Sequence, residues 1–443
     1  MLLMRKVLTC FIALFLLQPA LILSAEEQNI KKVTLPNGFE LITVEDHRSP
    51  IAVFQVWYRV GSKDEGKGTT GISHMLEHLM FKGTEKHGKG EYSRLISFNG
   101  GNENAFTSKD YTAYFATLAS DRIELEIELE ADRMRNLLLE EKEFLLERDV
   151  VAEERRLRTD DNPSAKLDEA LDKAAFGEHP YHWPVIGWMD DIQNYSIEQV
   201  KAHYKKFYAP NNAIAVAVGD FTHEELLAMV EKHFGDIEPS ATVPGPVRNY
   251  PKSVQNEEKR VTLHEKAEIP YVFSTYHTVH QDHPDAYALS VISTALTGGM
   301  SSRLYKRLVR KDEICLSIEA HFDFLSYDPS IFGFYAGLRP DKTPEEYEKV
   351  LQEELDKVKK HGVTERELQK AINNAEAEFL FSQDSIFYKA MRIGWYETIG
   401  MDYTDIPKYV ENIRNVTNED VIRAANKYFV NNKKSVGILI PKK

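Results

Sequence analysis

The chain has 443 residues, of which 42% are hydrophobic and 28% are charged. This composition is typical of a globular protein with two or three domains, and it excludes disordered and low-complexity proteins. The 69 acidic residues outnumber the 55 basic ones and give a formal net charge of −14, which argues against nucleic acid and anionic lipid as partners.

The first 25 residues differ from the rest of the chain. A short basic start at Arg5 and Lys6 precedes a long apolar run, and small residues follow up to Ala25. This three-part order predicts a secretory signal peptide that is cleaved after Ala25. An uncleaved membrane anchor is the alternative, although Pro19 interrupts the apolar run. No later stretch of the sequence is long and apolar enough to cross a bilayer.

Removal of the signal peptide leaves Cys315 as the single cysteine, so the mature chain cannot form an internal disulfide bond. Stability must then come from packing. A secretory signal without a structural cysteine pair suits the periplasm of a Gram-negative bacterium, and we predict that location.

Strand patterns open the mature chain. Two β-rich runs in "KKVTLPNGFELITVED" flank the turn sequence Pro-Asn-Gly and predict a hairpin, and "IAVFQVWYRV" predicts a third strand. Helical patterns follow at residues 71–82, 92–98, 122–157 and 224–234, and "NAIAVAVGD" predicts a further strand. Within the third helical stretch, "IELEIELEA" alternates with period two, but its length and its flanking helix formers favour a helix. Strands with helices packed on one face predict an α+β fold.

The second half of the chain repeats a pattern of the first. "SIEQVKAHYKKFYAPNNAIAVAVGD" begins at Ser196 and "TNEDVIRAANKYFVNNKKSVGILIP" begins at Thr417, an offset of 417 − 196 = 221 residues. Both begin with a helix-capping pattern and continue through an amphipathic helix, an Asn-rich turn and an apolar strand. An offset of about half the chain is what a duplicated domain would give, although chance similarity of two helix–strand units is the alternative.

A proline-rich stretch separates the two halves. Residues 237–258 contain four prolines and little periodicity, which is typical of a linker. We therefore predict a first domain at residues 26–238, a linker at 239–258 and a homologous second domain at 259–443, each with an antiparallel-rich sheet and helices on one face.

The segment "GISHMLEHLMFKGT" carries two histidines one helical turn apart, His74 and His78. Imidazoles at this spacing lie on one helix face and can bind one metal ion, and Glu77 lies beside them, where it can reach a water on that ion. Zinc suits nitrogen ligands in a tetrahedral geometry. A buried, hydrogen-bonded histidine pair is the alternative.

A third ligand would decide between these interpretations, because catalytic zinc usually has three protein ligands. Five residues of "EEKEFLLERDVVAEERRLRTDDNP" recur at offsets of three and four and share one predicted helix face: Glu147, Val150, Val151, Glu154 and Leu157. A carboxylate among apolar neighbours is expected to point inward, where it needs a cation or hydrogen bonds. We predict Glu154 as the third ligand and Glu147 as the residue that orients a ligand histidine. A surface salt bridge of Glu147 with Arg148 or Lys142 is the alternative.

These segments together resemble the pitrilysin family of zinc peptidases, which includes insulysin and the mitochondrial processing peptidase. "HMLEH" inverts the common H-E-x-x-H order, and Glu154 follows His78 by 76 positions. "LPNGFEL", "NAFTS", "ERDVVAEE", "HPYHWPVIG" and "GGMSSRLYKRL" are also similar to recurrent segments of that family. The resemblance implies one zinc ion per chain, bound by His74, His78 and Glu154, and it implies Glu77 as the general base of peptide-bond hydrolysis.

The resemblance also implies an edge strand that pairs with substrate. In "NENAFTS", Asn104 would hydrogen-bond the substrate near the scissile carbonyl, and Ala105 and Phe106 would offer main-chain groups to an extended peptide. Without the resemblance, this segment would be interpreted as a turn that leads into the next strand.

One position departs from the family pattern. Active single-chain relatives carry an arginine and, seven residues later, a tyrosine in the second half, whereas this chain has Arg310 and Ser317. Because serine is too short to replace a phenol, we predict that this chain is the metal-bearing subunit of a heterodimer whose homologous partner supplies the arginine–tyrosine pair, with a homodimer as the runner-up. Two such chains would enclose a chamber for peptides or unfolded segments. A non-catalytic structural or chaperone-like homologue is the alternative function, although the intact metal set argues against it.

Overall fold

The computed structural model describes residues 30–244, 250 and 255–442. The predicted signal peptide and part of the predicted linker lie outside these residues. Within the described ranges, no helix combines the length and the apolar character that a membrane span requires.

The first half is built on a six-stranded sheet with the strand order β1-β2-β6-β3-β5-β4. Its strands are β1 (Ile30–Thr34), β2 (Glu40–Glu45), β3 (Ile51–Tyr58), β4 (Asn102–Thr107), β5 (Thr112–Ala119) and β6 (Ala213–Gly219). All neighbours are antiparallel except β2 and β6, which run parallel. The predicted hairpin is β1–β2, and Gly38 in its turn has a φ of 86°, a conformation that glycine adopts without strain.

Helices cover one face of this sheet and bury the first core. They are α1 (Ile72–Leu79), α2 (Glu91–Phe98), α3 (Ile123–Asn136), α4 (Glu141–Arg155), α6 (Met189–Asn194), α7 (Ile197–Phe207) and α8 (His223–Phe234). Helix α5 (Pro163–Phe176) belongs to this half of the chain but packs on the sheet of the second half. Phe54 of β3, Met75 of α1 and Ile127 of α3 are fully buried in this core. The period-two segment "IELEIELEA" is helical, as predicted, because α3 packs on the sheet through Ile123 and Ile127.

The prediction of one continuous helix over residues 122–157 is wrong. The chain leaves the helical conformation at Leu137 and re-enters it after Glu140, so that α3 and α4 are separate and α4 continues into a π-helical turn, Arg156–Asp160. At the break, Leu137 forms a β-bridge with Thr84, and the Leu138 N–H donates to the Gly83 carbonyl at 3.0 Å. These partners are distant in sequence, so no local pattern could reveal the break.

The second half has a five-stranded sheet with the order β7-β11-β8-β10-β9. Its strands are β7 (Lys259–Glu265), β8 (Tyr271–His277), β9 (Cys315–Phe322), β10 (Ile331–Leu338) and β11 (Lys434–Pro441). Its helices are α9 (Asp285–Thr297), α10 (Pro344–His361), α11 (Glu365–Asp384), α12 (Ile386–Thr398), α13 (Ile406–Arg414) and α14 (Asn418–Tyr428). A second core lies between this sheet and its helices.

The two sheets repeat one topology. The order β7-β11-β8-β10-β9 has the same connectivity as β2-β6-β3-β5-β4, and the central strands β6 and β11 each run parallel to one neighbour. Both α7 and α14 begin with a capping box, Ser196 with Gln199 and Thr417 with Asp420. The repeat seen in the sequence is therefore a repeat of structure, while the domain boundaries at residues 238 and 259 stay predictions.

Each half also supplies a helix to the other half's sheet. Helix α12 covers the outer face of the first sheet, where Gly394 lies so close to Trp57 that an added Cβ would come within 2.2 Å of the indole. Helix α5 in turn packs on the second sheet through Leu167 and Leu171, against Phe273 and Leu439. The sequence predicted helices on one face of each sheet, and this exchange places a helix on the other face of each sheet as well.

Candidate metal site

Helix α1 is fixed at its start by two glycines and a buried carboxylate. Gly71, with a φ of 82°, lies against the loop at Ile186 and Gly187, and a Cβ at Gly71 would meet the Ile186 carbonyl at 2.3 Å. The Glu65 carboxylate accepts hydrogen bonds from the N–H groups of Gly71 at 2.6 Å and Ser73 at 2.8 Å. Burial raises the pKa of Glu65 to about 8, although these hydrogen bonds act to lower it. The first turn of the helix is thus locked before the histidines begin.

Helices α1 and α4 bring the three predicted ligands together. The Glu154 Oε2 atom lies 3.3 Å from His78 Nε2 and 3.8 Å from His74 Nε2. One ligand atom from each residue lies within 4.8 Å of the others, and among the described residues this is the one such group of histidine, cysteine and acidic side chains. Ligand atoms about 3.4 Å apart are expected around a tetrahedral ion with bonds of about 2.1 Å, so two imidazoles and this carboxylate fit zinc.

The two histidines are oriented by different means. The His78 Nδ1–H donates to Glu147 Oε1 at 2.9 Å, which turns Nε2 toward Glu154. Nδ1 of His74 is buried with no hydrogen-bond partner among the described residues, so packing alone orients that ring, edge-on to His78 at a centroid distance of 4.7 Å. A fixed ring orientation is what a preformed metal site requires.

The pKa values of the two histidines also shift in opposite directions. Burial lowers the pKa of His74 to about 4, with a contribution from His78, and so favours the neutral ring that a metal needs. Burial also opposes the charged form of His78, but hydrogen bonds to Glu147 and Glu154 outweigh it and raise the pKa of His78 to about 9.

Glu147 lies behind His78, a predicted metal ligand, as the sequence predicted. Burial raises the pKa of Glu147, but hydrogen bonds from His78 and from Lys82, whose Nζ lies 2.5 Å from Oε2, outweigh burial and lower it. The alternative salt bridge with Arg148 is not formed, since Arg148 donates instead to the Gln193 carbonyl. The ionised Glu147 is thus shared between the His78 ring and the Lys82 ammonium group.

Glu77 immediately precedes His78 on α1 and lines the same cleft. Its Oε2 accepts a hydrogen bond from Thr107 Oγ1 at 2.6 Å. Burial raises the pKa of Glu77, while this hydrogen bond acts in the opposite direction. Glu154 has a different partner, because its Oε1 lies 2.9 Å from a guanidinium nitrogen of Arg158.

The expectation that Val150 and Leu157 lie in the interior beside Glu154 is wrong. Val151 is fully buried, as expected, but Val150 and Leu157 are 51% and 66% exposed. Helix α4 packs into the core through Phe144 and Val151, so the face that carries Glu154 borders an open cleft and not the interior. Val150 and Leu157 therefore line the cleft.

The cleft has a volume of about 1190 Å³. His74, Glu77 and His78 form one part of its lining, residues 104–107 of β4 a second, and residues 182–186 a third. Because β4 is the edge strand of its sheet, its outer side has no strand partner among the described residues, and β4 lines this space.

The predicted substrate-binding residues lie on that edge strand. Asn104 is exposed, and its side-chain oxygen accepts a hydrogen bond from the Ala105 N–H at 2.8 Å. Phe106 lines the cleft and packs edge-on against Trp57 at 5.4 Å. The segment is therefore a strand, and the turn that the residues alone suggested is wrong.

Arg310 and Ser317 do not line the cleft among the described residues. Arg310 is exposed beside Tyr305, and Ser317 lies on the edge strand β9 of the second sheet. The cleft lining that the structure describes comes entirely from the first half.

Comparison with known proteins places the chain in a family. Residues 40–187 match the family described as insulinase, peptidase family M16, and residues 194–375 match the peptidase M16 inactive domain. The chain is 34% identical over 415 residues to the zinc protease PqqE of Helicobacter pylori, covering 93% of each sequence. The chain belongs to peptidase family M16. The resemblance to the insulysin family is thereby confirmed.

Other M16 relatives agree with this assignment. An uncharacterized zinc protease of Streptomyces coelicolor is 28% identical, covering 94% of this chain and 90% of that protein. The crystal structure of a protease from Helicobacter pylori has a TM-score of 0.89 at 34% identity, with 93% of this chain and 99% of that chain covered. The periplasmic protease PqqL of Escherichia coli has a TM-score of 0.79 at 16% identity, covering 94% of this chain and 48% of that one. The predicted two-domain α+β fold is confirmed.

Two residues near the site were missed by the sequence analysis. Thr107 lies within the quoted "NAFTS" segment, but nothing in the sequence shows that its hydroxyl points at Glu77. Glu65 precedes α1 by seven residues, outside the span in which a capping pattern would be sought. Both depend on contacts between segments that only the fold brings together.

Proposed function

We propose that this M16 chain is a zinc-dependent endopeptidase subunit that hydrolyses peptides or unfolded segments. The convergence of His74, His78 and Glu154 within one cleft carries the proposal. Glu77 lies next to these ligands and faces the same space as the free edge of β4, so a metal, a base and a peptide-binding strand share one cavity. Relatives named zinc proteases support both the metal and the reaction.

Each side chain has a role in this chemistry. One zinc ion held by His74, His78 and Glu154 would supply a Lewis acid, which activates water and polarises the substrate carbonyl. The Glu77 carboxylate takes a proton from the attacking water and returns it to the leaving amine. The substrate lies as an added strand along β4 and takes over the Ala105 N–H that Asn104 now holds.

A homologous partner chain is part of the proposal. The described cleft is lined by the first half alone, and Ser317 cannot supply a phenol, so a second chain would close the chamber and bring the missing arginine–tyrosine pair. This chain covers 48% of the PqqL chain, so about half of PqqL lies outside the matched part. A relative of about twice this length supports a second chain of similar size beside this one. A homodimer is the runner-up, and the periplasm is the proposed location.

The non-catalytic alternative gains little from the family comparison. The description "inactive domain" applies to residues 194–375, and none of the predicted ligands lies there. The first half retains all three ligands and Glu77.

Bound zinc and the substitution Glu77→Gln test the proposal. The purified chain should contain one zinc ion, and Glu77→Gln should keep that ion while losing hydrolysis of a quenched fluorescent peptide. A non-catalytic protein would show the same peptide turnover before and after the substitution.

A second measurement tests the partner. Alone with zinc, the chain should cleave peptides slowly, so single-turnover assays with excess protein are needed to follow it. Purification from its own organism should bring down a similar-sized homologous chain that raises the rate. Full activity of the isolated chain would refute the heterodimer.

A further inference from the structure

We propose that Thr107 is a positioning residue that holds the Glu77 carboxylate for catalysis and connects it to the strand that binds substrate. The inference rests on the proposed function, because it assigns a role toward the general base. It adds a residue that neither the metal set nor the substrate-binding residues include.

The contact itself restricts Glu77. The Thr107 hydroxyl has one proton and donates it to Glu77 Oε2 at 2.6 Å, while Oε1 accepts no hydrogen bond from the described residues. A glutamate side chain has three rotatable bonds, and a free carboxylate would sample several orientations in a cleft of this size. Anchoring one oxygen leaves the other to face the attacking water in a defined direction.

Thr107 is itself positioned by the hairpin of β4 and β5. It is the last residue of β4 and pairs with the first residue of β5, Thr112, across a turn in which Ser108 N–H donates to the Tyr111 carbonyl at 2.8 Å. Thr112 is fully buried and donates to the Val60 carbonyl at 2.9 Å, which places its hydroxyl 3.4 Å from that of Thr107. The hydroxyl of Thr107 is therefore aimed by a closed hairpin, not by a mobile loop.

The position on β4 joins binding to catalysis. Residues 104–106 present the free edge to which a peptide would add, and Thr107 follows directly along the same strand. A peptide that pairs with this edge would therefore lie directly beside the donor that aims Glu77. Because the Thr107 hydroxyl acts on the base and not on the substrate, its loss should affect kcat and not KM.

The test compares Thr107→Val, which removes the hydroxyl at nearly constant shape, with Thr107→Ser, which keeps it. Thr107→Val should lower kcat by about tenfold to a hundredfold, because hydrogen bonds to charged groups are among the stronger ones. KM should stay within about twofold and bound zinc should be unchanged. Thr107→Ser should restore most of the rate. Thr117→Val, the same change on β5 at a position paired with Asn102, is the matched control and should behave as the parent protein.

The possible results separate this inference from the proposed function. If Glu77→Gln is inactive but Thr107→Val keeps the parent kcat, the inference is overturned and the function stands. A raised KM at constant kcat, or loss of zinc, would assign Thr107 to binding or to folding and also overturn it. If the parent protein shows no hydrolysis that Glu77→Gln removes, the proposed function fails and the inference falls with it. Should Thr107→Val not fold, Thr107→Ala is the second variant. It removes the same hydroxyl together with the γ-methyl group, and its kcat decides in the same way.

Discussion

Both ring nitrogens of His78 have a carboxylate neighbour, which gives Glu147 an indirect role in the proposed metal site. Nδ1 is held by Glu147, and Nε2 points at Glu154. Lys82 balances the charge of Glu147 from its other oxygen. A ligand ring whose far side is held by a carboxylate is both oriented and more basic, which strengthens metal binding.

Glu147→Gln should therefore weaken zinc binding by about 10- to 100-fold. The amide keeps the shape of the side chain but loses the negative charge, and Lys82 is left as an unbalanced cation near the ion. Competition with a chelator of known affinity measures the effect. Glu143→Gln, one turn earlier on α4 and paired with the exposed Lys89, is the control and should leave zinc affinity unchanged. Equal affinities for both variants would contradict the role of Glu147.

At the scale of elements, the start of α1 sets the position of both histidines. Gly71, the residue immediately before α1, is packed against the loop at residues 186–187 so closely that no side chain fits between them. Gly71 and Gly187 approach each other backbone to backbone, since a Cβ on either would come within 2.8 Å of the other residue's Cα. The loop also lines the cleft, so this contact fixes one wall of the cavity relative to the metal ligands.

Gly71→Ala should displace α1 and lower both stability and zinc affinity. The added Cβ would meet the Ile186 carbonyl at 2.3 Å, in addition to the strain of a φ of 82°. We expect a loss of about 2–4 kcal/mol in the free energy of unfolding, measured by denaturant titration. Gly68→Ala separates the two causes, because Gly68 has a φ of 90° but nothing within 4 Å of an added Cβ. A similar loss in both variants would show that backbone strain, not the close contact, is responsible.

A buried acid joins two helices of the second half and gives a pH-dependent prediction. Asp285 of α9 accepts hydrogen bonds from Arg423, Lys427 and Tyr428 of α14 at 2.8, 2.9 and 2.7 Å. Burial raises the pKa of Asp285, but these hydrogen bonds outweigh it and hold the pKa well below its usual range. A lowered pKa stabilises the fold above the unfolded-state value of about 3.9, and this stabilisation is lost as pH falls below it.

Asp285→Asn should lower the free energy of unfolding by about 1–2 kcal/mol at pH 7, a modest loss because the two cations are half exposed. The difference from the parent protein should shrink as the pH is lowered through 4, in denaturant titrations at several pH values. Asp356→Asn removes an exposed carboxylate whose ion-pair distance to Lys359 is 3.6 Å, and it should change little. A difference that stays constant with pH would show that the charge of Asp285 contributes nothing.

Local patterns predicted most of these elements and the metal pair, because they depend on neighbours within a few residues. The hairpin at Gly38, the capping boxes of α7 and α14 and the i, i+4 spacing of His74 and His78 are of this kind. The break at Leu137 and the exposure of Val150 could not be predicted, since both depend on which distant segment packs beside the helix. The structure brings Glu154 next to His74 and His78, and its role as a metal ligand stays a prediction.

At the scale of the whole molecule, the two halves are interleaved and not merely joined by a linker. The outer face of the first sheet is covered by α12 of the second half, and the second sheet is covered by α5 of the first. The residues of the first sheet that this contact buries are mostly apolar: Ile42, Val44, Val53, Trp57, Ala113, Ile214, Val216 and Val218. The buried Gln55 of β3 is polar, and its side-chain amide donates to the Phe387 carbonyl of α12 at 3.4 Å. The half that carries the metal ligands therefore depends on the other half to cover its sheet.

Residues 26–238 expressed alone should consequently aggregate and bind no zinc, because that apolar face would be open to water. Co-expression with residues 259–443 should restore a soluble complex with one zinc ion, since α12 and α5 can then exchange across the two pieces. A protease site inserted between residues 239 and 258 of the full chain is the control: after cleavage the halves should elute together in size-exclusion chromatography. A first half that is soluble and binds zinc alone would show that α12 is not needed, and would make the exchange a contact between independent domains.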